Sequence, residues 1–554
     1  MGAVPARRKQ AEADTRGRPR DGRDPVPRGS RLVGPLPAHA EGGRPHEDGL
    51  RAAEGCGGGR GLDRTLAGGE GAPCGTGGVL PWRIRVPCRE AVGEAETWGQ
   101  RFFVFHGRAP ARQPDYGEAL KALRGFIWPM RRVLNPLLVG LVGLRDEAKC
   151  SYSSATLFWT VIFGFFQHMR SRNQMDMTRN DRAYSQTVFE LSGQPYDPDD
   201  PKLHTACSQT CRNHLAHVET ARLEQALVGL VRHLVRGKWF EDARLWGCLC
   251  VAVDGTLCER KRGSSLSDRE KRRYALEARI VTPWGWNIPV MSEPVAAYDG
   301  EREKQDCERK AFVRLAARLK KAFPHLGICI VGDALYACGP VMDLCRGYGW
   351  EFLLTFKEGS MPKVWKDVCD AQLRTGGRDW VRRKDEDGGD VTCGVVAWID
   401  GREMSYESGD GGVDFRVVKY FCWDPVEGAY DGAFVTSFEV GNRDRAVKVV
   451  EWGRRRWNVE NGFKVEKHDG FGLEHTFCND DTAGRNYHVL MEIAYALWQV
   501  FATGVIPRLA EGCRKMPQSG WAAVIWIATH VIGFRDLPVE SVGTMRMRRF
   551  HLVA

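Results

Sequence analysis

The sequence predicts an α/β catalytic core with an inserted β-rich region, preceded by a helical region and a disordered N-terminus. Three observations predict it. Two short apolar runs, residues 250–253 and 327–332, read as buried strands, and each leads into an aspartate, Asp254 and Asp333. Between them lie two more strand-like runs and a helical stretch, which gives the alternating order of an α/β sheet. A stripe of Leu223, Leu227, Leu230, Val231 and Leu234 at helical spacing precedes all of this.

Residues 1–115 read as largely disordered. Gly and Pro make up 27 of the first 80 residues, and the first aromatic residue is Trp82. Such a segment buries too little apolar surface to offset the entropy of ordering it. The same composition would arise if translation started downstream of Met1, which N-terminal sequencing of the expressed protein would test.

Residues 116–246 read as a helical domain. It either supports the next domain or binds DNA ends, and the two roles are compatible. Its most apolar run, 155–166, is shorter than the ~20 residues of a bilayer span, so a buried helix is expected and no membrane partner. Residues 247–357 open the catalytic domain, with strands at 276–281, 287–295 and 350–356 and helices at 302–323 and 340–348. Residues 358–447 form the β insertion, with runs at 391–399, 415–423 and 432–440 between Gly- and Asp-rich turns. Residues 448–510 complete the core. Residues 511–554 read as a helical tail with the basic run Arg546, Met547, Arg548, Arg549.

The net charge of +10 over 554 residues fits a polyanionic partner without requiring one. Eighteen cysteines scattered through a chain without a secretory h-region fit a reduced, cytoplasmic protein rather than a disulfide scaffold.

Asp254 and Asp333, each after an apolar strand, are placed at the edge of a sheet where α/β folds bind ligands. An ordinary turn-capping aspartate gives the same local pattern. The third acid carries more information. At about 100° per residue, Glu460 lies about 40° and Lys467 about 20° from Arg456, so the three form one helix stripe. A carboxylate between two cations suits a place where metal and phosphate meet, although a solvated salt-bridged face reads alike. Gly462 and Trp457 within the helix speak against a merely solvated face.

The Arg456, Glu460, Lys467 spacing resembles the Tyr-Arg-Glu-Lys signature of bacterial insertion-sequence DDE transposases, in the group with a β insertion. Val253-Asp254-Gly255-Thr256 and the segment around Asp333 resemble the family's first and second acid motifs. The one departure is Gly453, where the family has Tyr. The resemblance implies a ribonuclease H-like core in which Asp254, Asp333 and Glu460 hold catalytic magnesium, with manganese able to substitute. It implies that Arg456 and Lys467, with Lys464, Arg455 and Trp457 beside them, contact DNA. It further implies cleavage at terminal inverted repeats, strand transfer into target DNA, a homodimer in the synaptic complex and a nucleoid-associated location. Other basic segments, Arg260-Lys261-Arg262 and Lys271-Arg272-Arg273, would widen the DNA surface or be solvated charge.

His204, Cys207, Cys211 and His214 mimic a zinc motif, but one short helix cannot wrap a tetrahedral ion. Two rival functions share the motifs: a transposase-derived protein that binds DNA without cutting, and a nuclease without strand transfer.

Overall fold

The computed structural model describes residues 116–139, 149–260, 272–295, 301–505 and 518–532, apart from breaks at 170, 198, 201–203, 373–376, 385–389, 400–404, 409–410 and 425–427. The expected disordered segment, Lys261, Arg262 and Lys271 of the two basic runs, and the basic tail lie outside the described residues.

Six helices come first: α1 (Tyr116–Val139), α2 (Ser154–Phe166), α3 (Arg172–Thr178), α4 (Arg182–Ser192), α5 (Ser208–Leu215) and α6 (Thr220–Arg236). α2 is the apolar run of the sequence, and every one of its residues is buried. Ser153 starts it by accepting a hydrogen bond from the Thr156 amide. On α6 the leucine and valine stripe is buried as a unit. Among the described residues no helix is long and apolar enough to cross a membrane.

The chain then enters the sheet with β1 (Arg244–Leu245), β2 (Cys248–Arg260), β3 (Arg272–Val281) and β4 (Asn287–Val295). Helix α7 (Glu301–Ala322) leads to β5 (Ile328–Gly332), and α8 (Gly339–Gly347) leads to β6 (Glu351–Phe356). After α9 (Pro362–Gln372) come β7 (Gly377–Lys384), β8 (Asp390–Ile399), β9 (Ser405–Ser408), β10 (Gly411–Asp414), β11 (Arg416–Asp424) and β12 (Gly428–Thr436). Helices α10 (Arg443–Arg454), α11 (Trp457–His468), α12 (Asp481–Gln499) and α13 (Gln518–Trp526) complete the described chain. Short π-helical turns extend α12 and α13.

The main sheet runs β4-β3-β2-β5-β6-β12-β11-β8-β7, with β1 on β2. β2, β5 and β6 are parallel; the pairs on either side of them are antiparallel. The expected β insertion therefore does not fold apart. β12 pairs with β6 over Leu353 to Phe356, so β12, β11, β8 and β7 widen the same sheet, and only β9 and β10 form a separate ribbon. The free edge of β6 accounts for this, because its unpaired backbone groups need partners.

One expectation about β2 is corrected. The strand does not end at Asp254 but continues to Arg260, paired with β3 as far as Arg272. The antiparallel neighbour holds the polar half of the strand, which its apolar pattern alone did not announce.

Candidate active site

The two aspartates are brought together by register. β2 pairs with β5 up to Ala252 and Val331. Two further steps set Asp254 opposite Asp333, the residue after the end of β5. Asp254 thus sits within its strand, at the point where the parallel neighbour stops. The Asp333 carboxylate accepts a hydrogen bond from the Leu335 amide, which fixes the turn there.

Glu460 comes from α11. The helical stripe is realised with a break: α10 ends at Arg454, and α11 starts at Trp457 after two residues in helical conformation. Arg456 Nη1 lies 2.8 Å from Glu460 Oε1 and 3.5 Å from Asp254 Oδ2. The guanidinium stands between two of the three acids. Burial pushes the Asp254 carboxyl up to about 7; Arg456 opposes this, while Asp333, Glu460 and Glu308 add to it.

The other predicted DNA contacts separate. Trp457 is half exposed, with Arg456 5.3 Å from its ring centroid, and Lys464 is exposed on the same helix. Lys467 pairs with Glu474 at 3.1 Å. Arg455 donates to the Pro283 carbonyl at 2.9 Å and tethers the helix junction to the β3–β4 turn, and burial lowers its pKa.

Gly453 has a packing reason. A Cβ there would lie 2.4 Å from the Phe434 ring of β12, so a tyrosine cannot occupy the position unless that ring moves. The neighbouring Trp452 is buried and supplies no ring to the site. The exposed aromatic beside the acids is Trp457.

What holds α11 in place was not visible in the sequence. Arg279 of β3 is fully buried and bonds Glu277 beside it, Glu466 of α11 at 2.6 Å and Asn287 of β4 at 3.1 Å. Its guanidinium faces the Phe463 ring at 4.5 Å. Burial alone would discharge it, but Glu277 and Glu466 outweigh burial and keep it protonated. His488 of α12 bonds the other Glu277 oxygen at 3.1 Å. The available signal was Glu277 and Arg279 two apart in an otherwise apolar strand, which puts opposite charges on one buried face. Gly462 lets α11 approach: a Cβ there would lie 2.0 Å from Asn287 Oδ1.

Among the described residues, Cys258, Glu277 and His488 are the one group of three potential ligands whose atoms all lie within 4.8 Å of one another. Asp254, Asp333 and Glu460 are more widely spread, with Arg456 between two of them. The donor chemistry separates the two groups. Glu277 is already engaged by Arg279 and His488, and burial raises Cys258 so that it stays a thiol. The three acids offer hard oxygens at a sheet edge, which suits a hard divalent cation. The zinc-like residues do not come together as a ligand group. Cys211 is buried with its pKa raised to about 12, and the His214 ring packs on Phe158 at 5.1 Å.

Residues 291–497 match the family described as the transposase DDE domain. That span is similar to a transposase DDE domain. The matched span contains Asp333 and Glu460 and begins after Asp254, whose place rests on the strand register. No curated protein sequence matches the chain. Among solved structures, the chain is similar to a piggyBac transposase in a synaptic complex with hairpin DNA. The likeness is at 9% identity and a TM-score of 0.35, over 77% of this chain and 83% of that one.

Proposed function

We propose that the protein is a transposase of the insertion-sequence type that binds the ends of its element, cuts DNA there and joins the cut ends to a target. The observation that carries the reading is the approach of Asp254 and Glu460 to one guanidinium, with Asp333 next to Asp254 by register. Three antiparallel strands followed by two parallel ones joined through helices support a ribonuclease H-like core.

Asp254, Asp333 and Glu460 would hold magnesium or manganese. When bound, such ions activate water or a 3′ hydroxyl and stabilise the leaving oxygen. Arg456, once a metal cation has replaced its guanidinium between the acids, is placed to meet a DNA phosphate. Lys464 and Trp457 face solvent beside it, and Lys467 and Arg455 extend the same helix region. Terminal inverted repeats would be the substrate, bound by a homodimer, in the cytoplasm at the nucleoid.

Gly453, the one departure from the signature, would on sequence alone favour a transposase-derived protein that binds DNA without cutting. That residue now has a packing reason independent of decay.

The test is incubation of DNA carrying the element's ends with magnesium and either the wild type or the Asp254→Ala, Asp333→Ala and Glu460→Ala variants. Cleavage by wild type alone is expected. No cleavage by wild type would defeat the enzymatic reading, and cleavage by all three variants would defeat the site.

A further inference from the structure

We propose that Glu308 is a fourth carboxylate of the metal site, reaching the ion from the side of β2 opposite to Asp254. This rests on the reading of Asp254, Asp333 and Glu460 as metal-holding acids.

Side chains along a strand alternate between faces. Asp254 faces Arg456 and α11, so Gly255 faces the other way, toward α7. Glu308 of α7 is 6% exposed. A Cβ on Gly255 would lie 2.5 Å from Glu308 Oε1 and 3.0 Å from its Cδ. The carboxylate is therefore laid on the strand backbone one residue past Asp254, and a glycine there gives it room.

The strand edge at that point is open. The last pairing of β2 with β5 is at Ala252, so beyond it acids from both faces meet around an uncovered edge, with Asp333 at the end of the neighbouring strand.

A second observation points to a ligand in the same place. Tyr336 is buried, and its hydroxyl has no hydrogen-bond partner among the described residues. Its backbone N–H donates to the Asp333 carbonyl at 3.1 Å, which ties it to the turn that carries that acid. A buried, unpartnered hydroxyl on that turn can bond water carried on a cation. The arrangement is fixed by packing: Phe312, one turn along α7 from Glu308, meets the Tyr336 ring at 5.5 Å. A fourth carboxylate makes the site more anionic and adds hard oxygen ligands, which suits a divalent cation that takes six of them.

The test is manganese binding to the full chain without DNA, read by electron paramagnetic resonance. Glu308→Gln keeps the shape and removes the charge; affinity is expected to fall at least about ten-fold. Gly255→Ala pushes on the far end of the Glu308 side chain and is expected to weaken manganese in the same direction. Glu308→Asp, which keeps the charge, is expected to fall between wild type and Glu308→Gln and carries the test if the glutamine variant does not fold. Wild-type affinity in Glu308→Gln, with binding lost in Asp254→Asn, would overturn the role of Glu308 and leave the three-acid site standing. No manganese binding by wild type would overturn both.

Discussion

Gly462→Ala should destabilise the protein, although the same change in an exposed helix stabilises by about 1 kcal/mol. The new methyl would lie 2.0 Å from Asn287 Oδ1 and 2.9 Å from Arg279 Nη1. Asn287 cannot easily yield, because its backbone N–H donates to Gln499 Oε1 at 2.8 Å, its backbone carbonyl accepts from Gln499 Nε2 at 3.2 Å, and its side-chain Nδ2 donates to the Gly285 carbonyl at 3.5 Å. Overpacking costs about 1 to 3 kcal/mol. Loss of the Arg279 bond to Asn287 adds about 1.5 to 3 kcal/mol, since the donor is charged and buried. After subtracting the helical gain, a net loss of about 2 to 5 kcal/mol is expected. Urea unfolding measures it, and a cleavage assay on the same variant reads the displacement of Glu460. A Gly462→Ala protein as stable as wild type or more so, with unchanged cleavage, would refute the view that this contact sets the position of α11.

Arg279→Met leaves Glu277 and Glu466 buried without their cation and should cost about 3 to 5 kcal/mol by thermal or urea unfolding. In the metal-free chain, Asp254→Asn should stabilise at pH 8 and have little effect at pH 4. An acid raised from ~3.9 unfolded to about 7 folded lowers stability as pH rises between those values. That gap is worth at most about 4 kcal/mol, and less here because 22% of the side chain is exposed. A melting-temperature series across pH checks the sign, and magnesium should reverse it by stabilising wild type alone. Lys464→Ala should lower the salt slope of DNA binding by about 1, and Trp457→Ala should weaken binding; fluorescence anisotropy across salt concentrations measures both. Gly453→Tyr should lose about 1 to 3 kcal/mol against Phe434 without gaining cleavage.

Much of the fold was legible because it is written in local patterns. The apolar run of α2, the stripe of α6 and the strands β4, β5 and β6 were each found within a residue or two of their bounds. The polar half of β2 was not, since Thr256 to Arg260 are strand only because β3 lies beside them. The union of β12 with β6 was hidden for the same reason: pairing between strands separated by about 80 residues is decided by an open edge, which has no sequence period.

The site divides along the same line. The placement of Asp254, Asp333 and Glu460 was legible because an acid after an apolar strand, or an acid in register with an arginine four residues before it, is a local feature. Their scaffold was not. Gly453 reads as a missing tyrosine until Phe434 is seen against it, and Gly462 reads as a helix defect until Asn287 is seen beneath it. Arg279 reads as one more basic residue, yet it joins β3 to the helix that carries Glu460. Glu308 lies in a charged helix with nothing local to distinguish it, and its relation to Asp254 exists only across the backbone of Gly255. On the proposed reading the acids would supply the chemistry, while the glycines and the buried arginine fix where those acids stand. Substitutions at Gly255, Gly462 and Arg279 should therefore alter activity through position, although none of the three needs to touch DNA.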